Sequence, residues 1–308
     1  MLGFLLLLSC AAADLLEGRT ARTSIDGVMG GDSTASASIN EKGVLTFVGT
    51  LVTVGGGFAY VSTTGGPSVD LTGAAGLLVE FESIEASKFG DAPIAFSVSL
   101  HEYGQKCALV SAFAVPTCAG MAGQSHTAWL PFVFFGAKAN LHYMNTNDPS
   151  GPSICKDYIT SLESVGWVEI GNYYQDGGFK LKMTKLEARR HPPELSDLTR
   201  CTAPSKLAQA SIERATSLVA KGKRFGGSGV GIDQMNSMAN AVLFTAAQQI
   251  GGEVLAAALQ VDPSSSAPEL TDKLMAAVEA GEGATDDRDD SADDSPRPQP
   301  DPEPRGSC

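Results

Sequence analysis

The sequence predicts an all-β domain, a jelly-roll β-sandwich, followed by a small α-helical segment and a disordered acidic tail. Short apolar runs separated by turn residues recur between residues 43 and 189, which is the pattern of a sandwich rather than of βαβ units. Residues 204–261 carry apolar side chains at helical spacing. Residues 281–308 are rich in Asp, Glu and Pro and cannot bury a core.

Length and charge narrow the classes of partner. The 308 residues, with a formal net charge of −13, are enough for one or two domains. The negative charge argues against nucleic acid or an anionic membrane as the main partner, because both require a basic face. No stretch beyond the N-terminus is long and apolar enough to span a bilayer, so we expect no transmembrane segment in the mature chain.

The N-terminus resembles a targeting segment. Leu2–Leu8 form a short apolar core, and Ala11–Ala13 provide a small-residue cleavage site. We therefore predict a secretory signal peptide at residues 1–13 and a secretory or extracellular location, since a transit peptide would be Arg-rich and amphipathic. An alternative is that Leu7–Cys10 forms a bacterial lipoprotein box in which Cys10 is lipidated.

Two glycine-rich turns bracket one strand between Ser24 and Tyr60. Glycine allows positive φ and close backbone approach, and an aspartate in such a turn can accept hydrogen bonds from nearby backbone N–H groups. We interpret these turns as mainly structural, with surface binding as the alternative. Their characteristic residues are Asp26, Gly27, Met29, Gly30, Gly31, Ser33, Gly56, Gly57 and Phe58.

Five short motifs carry a family resemblance. They are D-G-V-M-G-G-D-S at Asp26–Ser33, F-V-G at Phe47–Gly49, G-G-F-A at Gly56–Ala59, W-L-P-F at Trp129–Phe132 and G-G-F-K-L-K-M at Gly177–Met183. In this order and spacing they resemble the complex I intermediate-associated protein 30 family. The chain departs from the family pattern at Ile25, where a polar residue is usual, and lacks a tryptophan that is common just upstream.

The resemblance covers about residues 19–189. It implies a jelly-roll domain similar to galactose-binding and carbohydrate-binding modules. It also implies a non-enzymatic, chaperone-like role, since the best-known members are mitochondrial assembly factors for respiratory complex I. Mitochondria are therefore the alternative location, and complex I assembly intermediates are the implied protein partner.

Individual strands are predicted from apolar runs and alternation. The clearest is the last, because Phe179, Leu181 and Met183 alternate with polar side chains, which gives one buried and one wet face. We predict strands at Leu45–Leu51, Gly76–Glu82, Ile94–Tyr103, Cys107–Val115, Thr127–Phe135, Val165–Ile170 and Phe179–Lys185.

A long polar loop follows the fifth of these strands, from Gly136 to Asp157. Loops of this length are often functional, and its amides, aromatic ring and carboxylate are groups that a sugar site uses. The alternative is a solvated crossover between sheets. The candidate binding residues are Asn140, His142, Tyr143, Asn145, Asn147 and Asp148.

The cysteines permit disulfides in a secreted chain. The spacing allows one pair across a hairpin, Cys107 with Cys118, and a second, Cys155 with Cys201, which would leave Cys308 unpaired, although the sequence alone does not fix the connectivity. In a reducing compartment they would be buried thiols. No C-x-x-C pair is present, so we expect no structural zinc.

Catalytic patterns are sparse. The four histidines, His101, His126, His142 and His191, are scattered and are interpreted as surface or hydrogen-bonded residues, and neither H-E-x-x-H nor G-x-S-x-G occurs. Glu80 and Glu82 lie on one face of a strand. They are interpreted as exposed acids rather than as glycosidase carboxylates. We predict no enzyme, no cofactor and no metal.

The pattern changes after Arg190. We predict a helical segment at 203–280, with helices at Pro204–Lys221, at Ile232–Val261 with a bend at Gly251–Gly252, and at Pro268–Ala280. Lys221–Gly231 matches neither phosphate-loop pattern and is interpreted as a linker. The tail at 281–308 has nine acidic and three basic residues, a net of −6.

Two functional hypotheses remain open from the sequence. The family resemblance favours a non-enzymatic assembly protein. The leader, the cysteines and the Gly136–Asp157 loop favour a secreted carbohydrate-binding module.

Overall fold

The structure is a computed structural model. It describes residues 13–54, 57–83, 94–115, 124–139, 155, 162–173, 176–198, 204–225, 229–251, 272 and 276. The predicted signal peptide, apart from its last residue, and the acidic tail therefore lie outside the described residues.

The described residues form a two-sheet sandwich followed by two helices. The strands are β1 Ala13–Asp14, β2 Thr20–Ile25, β3 Thr34–Ile39, β4 Leu45–Leu51, β5 Phe58–Thr64, β6 Gly76–Ser83, β7 Ile94–Glu102, β8 Cys107–Val115, β9 Ser125–Pro131, β10 Gly136–Ala139, β11 Val165–Tyr173 and β12 Gly177–Arg189. The helices are α1 Pro204–Phe225 and α2 Gly229–Ile250.

The strand order is that of an antiparallel jelly-roll sandwich, which confirms the predicted fold class. Sheet A has the order β3-β4-β12-β6-β9, and β1 adds to β12; sheet B has the order β10-β8-β7-β11-β5-β2. Strands far apart in sequence are joined, since β12 pairs with β1, β4 and β6.

Five phenylalanines dominate the core between the sheets. The Phe47 and Phe179 ring centroids are 4.8 Å apart and those of Phe81 and Phe113 are 4.9 Å apart, with Phe96 between the two pairs. Each is buried, and a fully buried side chain of this size contributes about 1.5–3 kcal/mol to stability. The core continues to the start of the described chain, where Leu15 and Leu16 are fully buried.

One predicted strand is divided in the structure. The segment predicted as Thr127–Phe135 is β9 up to Pro131, then a 3-10 turn at Phe132–Phe134, then β10 from Gly136. The chain turns there because Phe135 N–H bonds back to the Phe132 carbonyl at 3.0 Å. This turn moves the chain from sheet A to sheet B.

The helices differ from their predicted bounds. The predicted linker Lys221–Gly231 is wrong in part, because α1 continues to Phe225 and α2 begins at Gly229. Helix α2 ends at Ile250, and residues 252–261 lie outside the described residues, so the predicted continuation with a bend at Gly251–Gly252 stays a prediction. Gly251 has φ +76° and its N–H bonds to the Ala247 carbonyl at 2.8 Å, a left-handed cap that suits glycine.

Of the third predicted helix, only Asp272 and Ala276 are described, and both are helical. Within the described part of the chain, neither helix combines the length and apolar character needed to cross a membrane.

Helix α2 covers the outer side of β8 and reaches the edge of sheet A. Its apolar side chains pack with Val110, Ala112 and Ala114 of β8, and the Phe244 ring lies 4.5 Å from that of Phe134. The small side chains of β8 allow the helix to approach the sheet closely. Helix α1 packs on α2 and is joined to the sandwich by Arg214, whose Nη2 donates to the Tyr173 carbonyl at 2.6 Å.

Polar side chains of α2 bind the main chain of β9, the edge strand of sheet A, and of the part of β8 beyond its pairing with β10. Trp129 N–H donates to Gln248 Oε1 at 3.0 Å, and Gln248 Nε2 donates to the Trp129 carbonyl at 2.6 Å. On β8, Ala114 N–H donates to Thr245 Oγ1 at 3.0 Å, and its carbonyl accepts from Gln249 Nε2 at 3.1 Å. The helix thus supplies bonds that a further strand would make, which protects open edges from wrong pairing.

The described disulfide joins Cys107 to Cys155, with Cα atoms 5.6 Å apart. Both predicted pairs are therefore wrong, because each contains one of these two cysteines. Cys118 and Cys201 lie outside the described residues. Since Cys107 is opposite Ala139 at the end of β10, the disulfide attaches Cys155 to the same edge of sheet B.

Candidate ligand-binding face

The glycine-rich turns are held together by one buried carboxylate. Asp26 is fully buried and accepts hydrogen bonds from Ser33 N–H at 3.1 Å, from Ser33 Oγ at 2.8 Å and from Gly57 N–H at 2.5 Å. A β-carbon at Gly31 would overlap the Asp26 carboxylate. The geometry is that of a structural corner, in which the Asp26 carboxylate of the first glycine-rich turn binds the backbone of the second turn at Gly57. Gly56 and the side chain of Met29 lie outside the described residues.

Burial raises the pKa of Asp26, but the hydrogen bonds from Gly57 and Ser33 outweigh it, so the pKa lies below its ordinary value. The corner is therefore built around a carboxylate anion.

The six residues predicted as a sugar site in the Gly136–Asp157 loop, Asn140, His142, Tyr143, Asn145, Asn147 and Asp148, all lie outside the described residues. The predicted loop is wrong at its start, because Gly136–Ala139 form β10, which carries Lys138; near its end, Cys155 is held by the disulfide. The loop assignment stays a prediction.

The outer face of sheet B is divided by α2. The helix covers β8, whereas side chains of β2, β5 and β11 face away from the core beyond it. We call this part of the face the outer strip. It consists of Arg22, Ser24, Phe58, Tyr60, Ser62, Trp167 and Glu169. Arg22 is exposed and the others are half-buried.

A cluster of charged groups forms the inner border of the outer strip. Glu169 Oε2 lies 3.0 Å from His101 Nε2 and 2.9 Å from Lys138 Nζ, and Glu169 Oε1 accepts from Ser62 Oγ at 3.2 Å. The Glu169 and Lys138 side chains are only 14% and 13% exposed. Lys138 Nζ also lies 6.0 Å from the Tyr60 ring centroid, within the range of a cation–π contact.

The pKa values of Glu169 and Lys138 are both shifted in favour of the charged form. Burial raises the pKa of Glu169, but Lys138 and His101 outweigh it and hold the pKa well below its ordinary value. Burial lowers the pKa of Lys138, but Tyr173 and Glu169 outweigh it and raise the pKa. Burial chiefly raises the pKa of Tyr173. The carboxylate and the ammonium therefore both stay charged at neutral pH.

Aromatic rings stand at both ends of the outer strip. At one end Trp167 stacks on His101, with centroids 4.8 Å apart and an interplanar angle of 12°, and Tyr103 lies 5.4 Å from Trp167. At the other end Phe58 and Tyr60 are near-parallel, with centroids 6.0 Å apart. Fixed rings separated by hydrogen-bonding groups suit a ligand that has both apolar faces and hydroxyl or amide groups.

Sequence reasoning missed the outer strip, although a signal was present. In W-V-E-I at 167–170, Trp167 and Glu169 alternate with the buried Val168 and Ile170, so a large ring stands on the wet face of a strand. His101 is hydrogen-bonded, as interpreted.

Glu80 and Glu82, the carboxylates considered for catalysis, form ion pairs on sheet A. Glu80 lies 3.3 Å from Lys185, and Glu82 lies 2.9 Å from Lys182. Among the described residues, no group of three or more His, Cys, Asp or Glu is placed to hold a metal ion.

The Glu169 cluster predicts an acid-dependent loss of stability. The folded-state pKa lies below the unfolded value of about 4.3. The contribution is therefore complete above that pH and is lost as the pH falls from there toward the folded pKa. In urea titrations from pH 7 to pH 3, Glu169→Gln should make the free energy of unfolding fall less steeply below about pH 4.3. The exposed Glu41→Gln control should keep the wild-type slope; equal slopes for wild type and Glu169→Gln would contradict the prediction.

The family model of complex I intermediate-associated protein 30 (CIA30) matches residues 16–87. The resemblance to the CIA30 family is confirmed over this segment. It contains the Asp26 corner, both glycine-rich turns and strands β2 to β6. No curated protein matches the chain significantly.

Several solved structures are similar in part. A family 11 carbohydrate-binding module of a cellulosomal cellulase of Clostridium thermocellum is 13% identical, with a TM-score of 0.36, and the match covers 58% of this chain and 92% of that one. An agarase is 9% identical, with a TM-score of 0.35, over 68% of this chain and 32% of the agarase. At these scores the likeness carries no activity or ligand over to this chain.

Proposed function

We propose that this protein is a non-enzymatic binding protein of the assembly-factor kind, which holds complex I assembly intermediates in mitochondria through its sandwich. The observation that carries the proposal is the CIA30 match at residues 16–87. That segment builds the corner and strands from both sheets rather than a loop alone, so the likeness concerns the framework of the sandwich.

The architecture supports a holding role. The sheets share a continuous aromatic core, and α2 occupies the β9 edge of sheet A and the part of β8 that β10 leaves unpaired, where a partner's strand would otherwise add. A rigid sandwich of this kind offers side-chain surfaces to a partner and loses little conformational entropy when it binds.

The test is affinity isolation of the full-length chain, tagged at its C-terminus, from mitochondria of its own cells. We expect complex I subunits among the co-isolated proteins, enriched over a tagged Asp26→Ala chain, in which the corner is broken. Absence of those subunits in repeated isolations would overturn the proposal.

A secreted carbohydrate-binding module is the second candidate, and two observations favour it. The Cys107–Cys155 disulfide suits an oxidising compartment, and the outer strip combines rings with hydrogen-bonding groups. Retention of the secreted chain on insoluble polysaccharides would support it. Failure to bind any polysaccharide class would exclude it.

A further inference from the structure

We infer that the outer strip is an oligosaccharide-binding site. In it Trp167 and Tyr60 stack on separate pyranose rings, while Arg22, Ser62 and Glu169 bind hydroxyl groups between them. The inference rests on the second candidate function and goes beyond it, because it names the surface, the residues and the size class of the ligand.

The strip has the length of a chain of sugars rather than of one ring. Tyr60 on β5 lies opposite Gly171 on β11, and Trp167 precedes Gly171 by four residues. At about 3.3 Å per residue, the two rings are therefore separated by roughly 13 Å along the strands. Glu169 and Ser62 are directly opposite each other between the two rings.

Both rings are held in place before any ligand arrives. Trp167 is backed by His101 at 4.8 Å, and Tyr60 is flanked by Phe58 at 6.0 Å and approached by the Lys138 ammonium at 6.0 Å. Fixed rings lose little conformational entropy on binding.

The polar groups between the rings provide donors and acceptors side by side. Glu169 is fixed through Oε2 by Lys138 and His101, while its Oε1 accepts from Ser62, and a carboxylate oxygen can accept more than one hydrogen bond. The exposed Arg22 lies opposite Ser62 on β2 and brings guanidinium donors. Neighbouring hydroxyl groups of a sugar need this mixture.

A neutral saccharide fits this surface better than an extended peptide. The main-chain groups of β5 and β11 are paired within sheet B, so these strands offer side chains only, whereas peptide capture by strand addition needs an open edge. The opposite charges of Lys138 and Glu169 compensate each other, and the remaining charge of the outer strip is the exposed Arg22, whose donors also serve hydroxyl groups.

Tryptophan fluorescence tests the site directly, because the chain has two tryptophans and Trp129 is buried beneath α2. The full-length protein is titrated with soluble oligosaccharides from mixed-linkage β-glucan, xylan, agarose and galactan. We expect at least one to change the emission saturably. In calorimetry, which does not need the Trp167 reporter, Trp167→Ala and Tyr60→Ala should each weaken binding of that saccharide about tenfold or more, as central aromatic contacts do.

Three further variants separate binding from folding. Trp167→Phe keeps a ring and should retain most of the affinity measured by calorimetry. Ser62→Ala removes a hydroxyl without touching either ring and should weaken binding a few-fold. Val133→Ala, at a side chain 64% exposed in the turn before β10, should bind as wild type does. Each variant is compared only if it melts as the wild type does.

The outcomes distinguish the site from the function. Polysaccharide binding that survives both ring-to-alanine variants would overturn the outer strip as the site while leaving the second candidate function intact. No binding of any saccharide would overturn both. Loss of a co-isolated mitochondrial protein in the ring variants, without saccharide binding, would make the strip a protein-docking surface and would also overturn the inference.

Discussion

Replacement of Asp26 by alanine should lower the free energy of unfolding by about 3–5 kcal/mol, or prevent folding, because it leaves three buried donors without their acceptor. The donors belong to Ser33 and Gly57, so the loss also separates the two glycine-rich turns. Chemical denaturation of the full-length chain measures the effect.

The matched control comes from the same motif. Asp32 is exposed, six residues after Asp26, and Asp32→Ala should change stability by no more than about 0.5 kcal/mol. Asp26→Asn, which keeps the shape but places an amide against the donors, should fall between the two. Equal stability of the Asp26→Ala and Asp32→Ala variants would show that the corner does not depend on the buried carboxylate.

Replacement of Gln248 by leucine should cost about 2–4 kcal/mol, because the Trp129 N–H and carbonyl lose both partners inside a buried interface. The variant should also expose the edge of β9 and increase self-association, since an open edge pairs with other chains. Denaturation measures the loss of stability, and hydrogen exchange at the Trp129 amide measures the exposure of the β9 edge.

Gln209→Leu is the control for this substitution. Gln209 is exposed on α1, where its Nε2 donates to Glu213 Oε1 one helical turn later at 2.9 Å. Its replacement should leave both stability and Trp129 exchange nearly unchanged. Unchanged exchange at Trp129 in Gln248→Leu would mean that α2 does not protect the sheet edge.

Strands with large alternating side chains were predictable from the sequence. Phe179, Leu181 and Met183 identify β12, and Cys107–Val115 is predicted with the bounds of β8. By contrast β2 and β3 were missed. Their sequences, T-A-R-T-S-I and T-A-S-A-S-I, alternate small residues with polar ones, so the apolar signal is weak even though the alternation is regular.

Features that depend on distant pairings were not predictable. The Cys107–Cys155 bond spans 48 residues, and no local pattern selects it over a hairpin pair. The outer strip needs β5 and β11 side by side, although they lie more than 100 residues apart. The Asp26 corner was predictable in part. The sequence indicated a turn stabilised by aspartate, whereas the bond from Gly57 to Asp26 depends on the folded arrangement of the two turns.

The helices show the same limit. The apolar spacing of both helices was evident from the sequence. The hydrogen bonds that Thr245, Gln248 and Gln249 of α2 make to the main chain of β8 and β9 were not, because they depend on how the helix packs on the sheets. Helix α2 ends at Ile250, beside the left-handed Gly251, where the sequence pattern alone also fitted a bent helix.

Localisation of the full-length chain, tagged at its C-terminus and expressed in its own cells, tests the proposed assembly role most directly. The proposal predicts that the chain lies in mitochondria, where complex I intermediates can be bound. A chain found in the secretory pathway or the medium would contradict the role. It would leave the sandwich assignment unchanged and make the saccharide titration of Trp167 the next experiment.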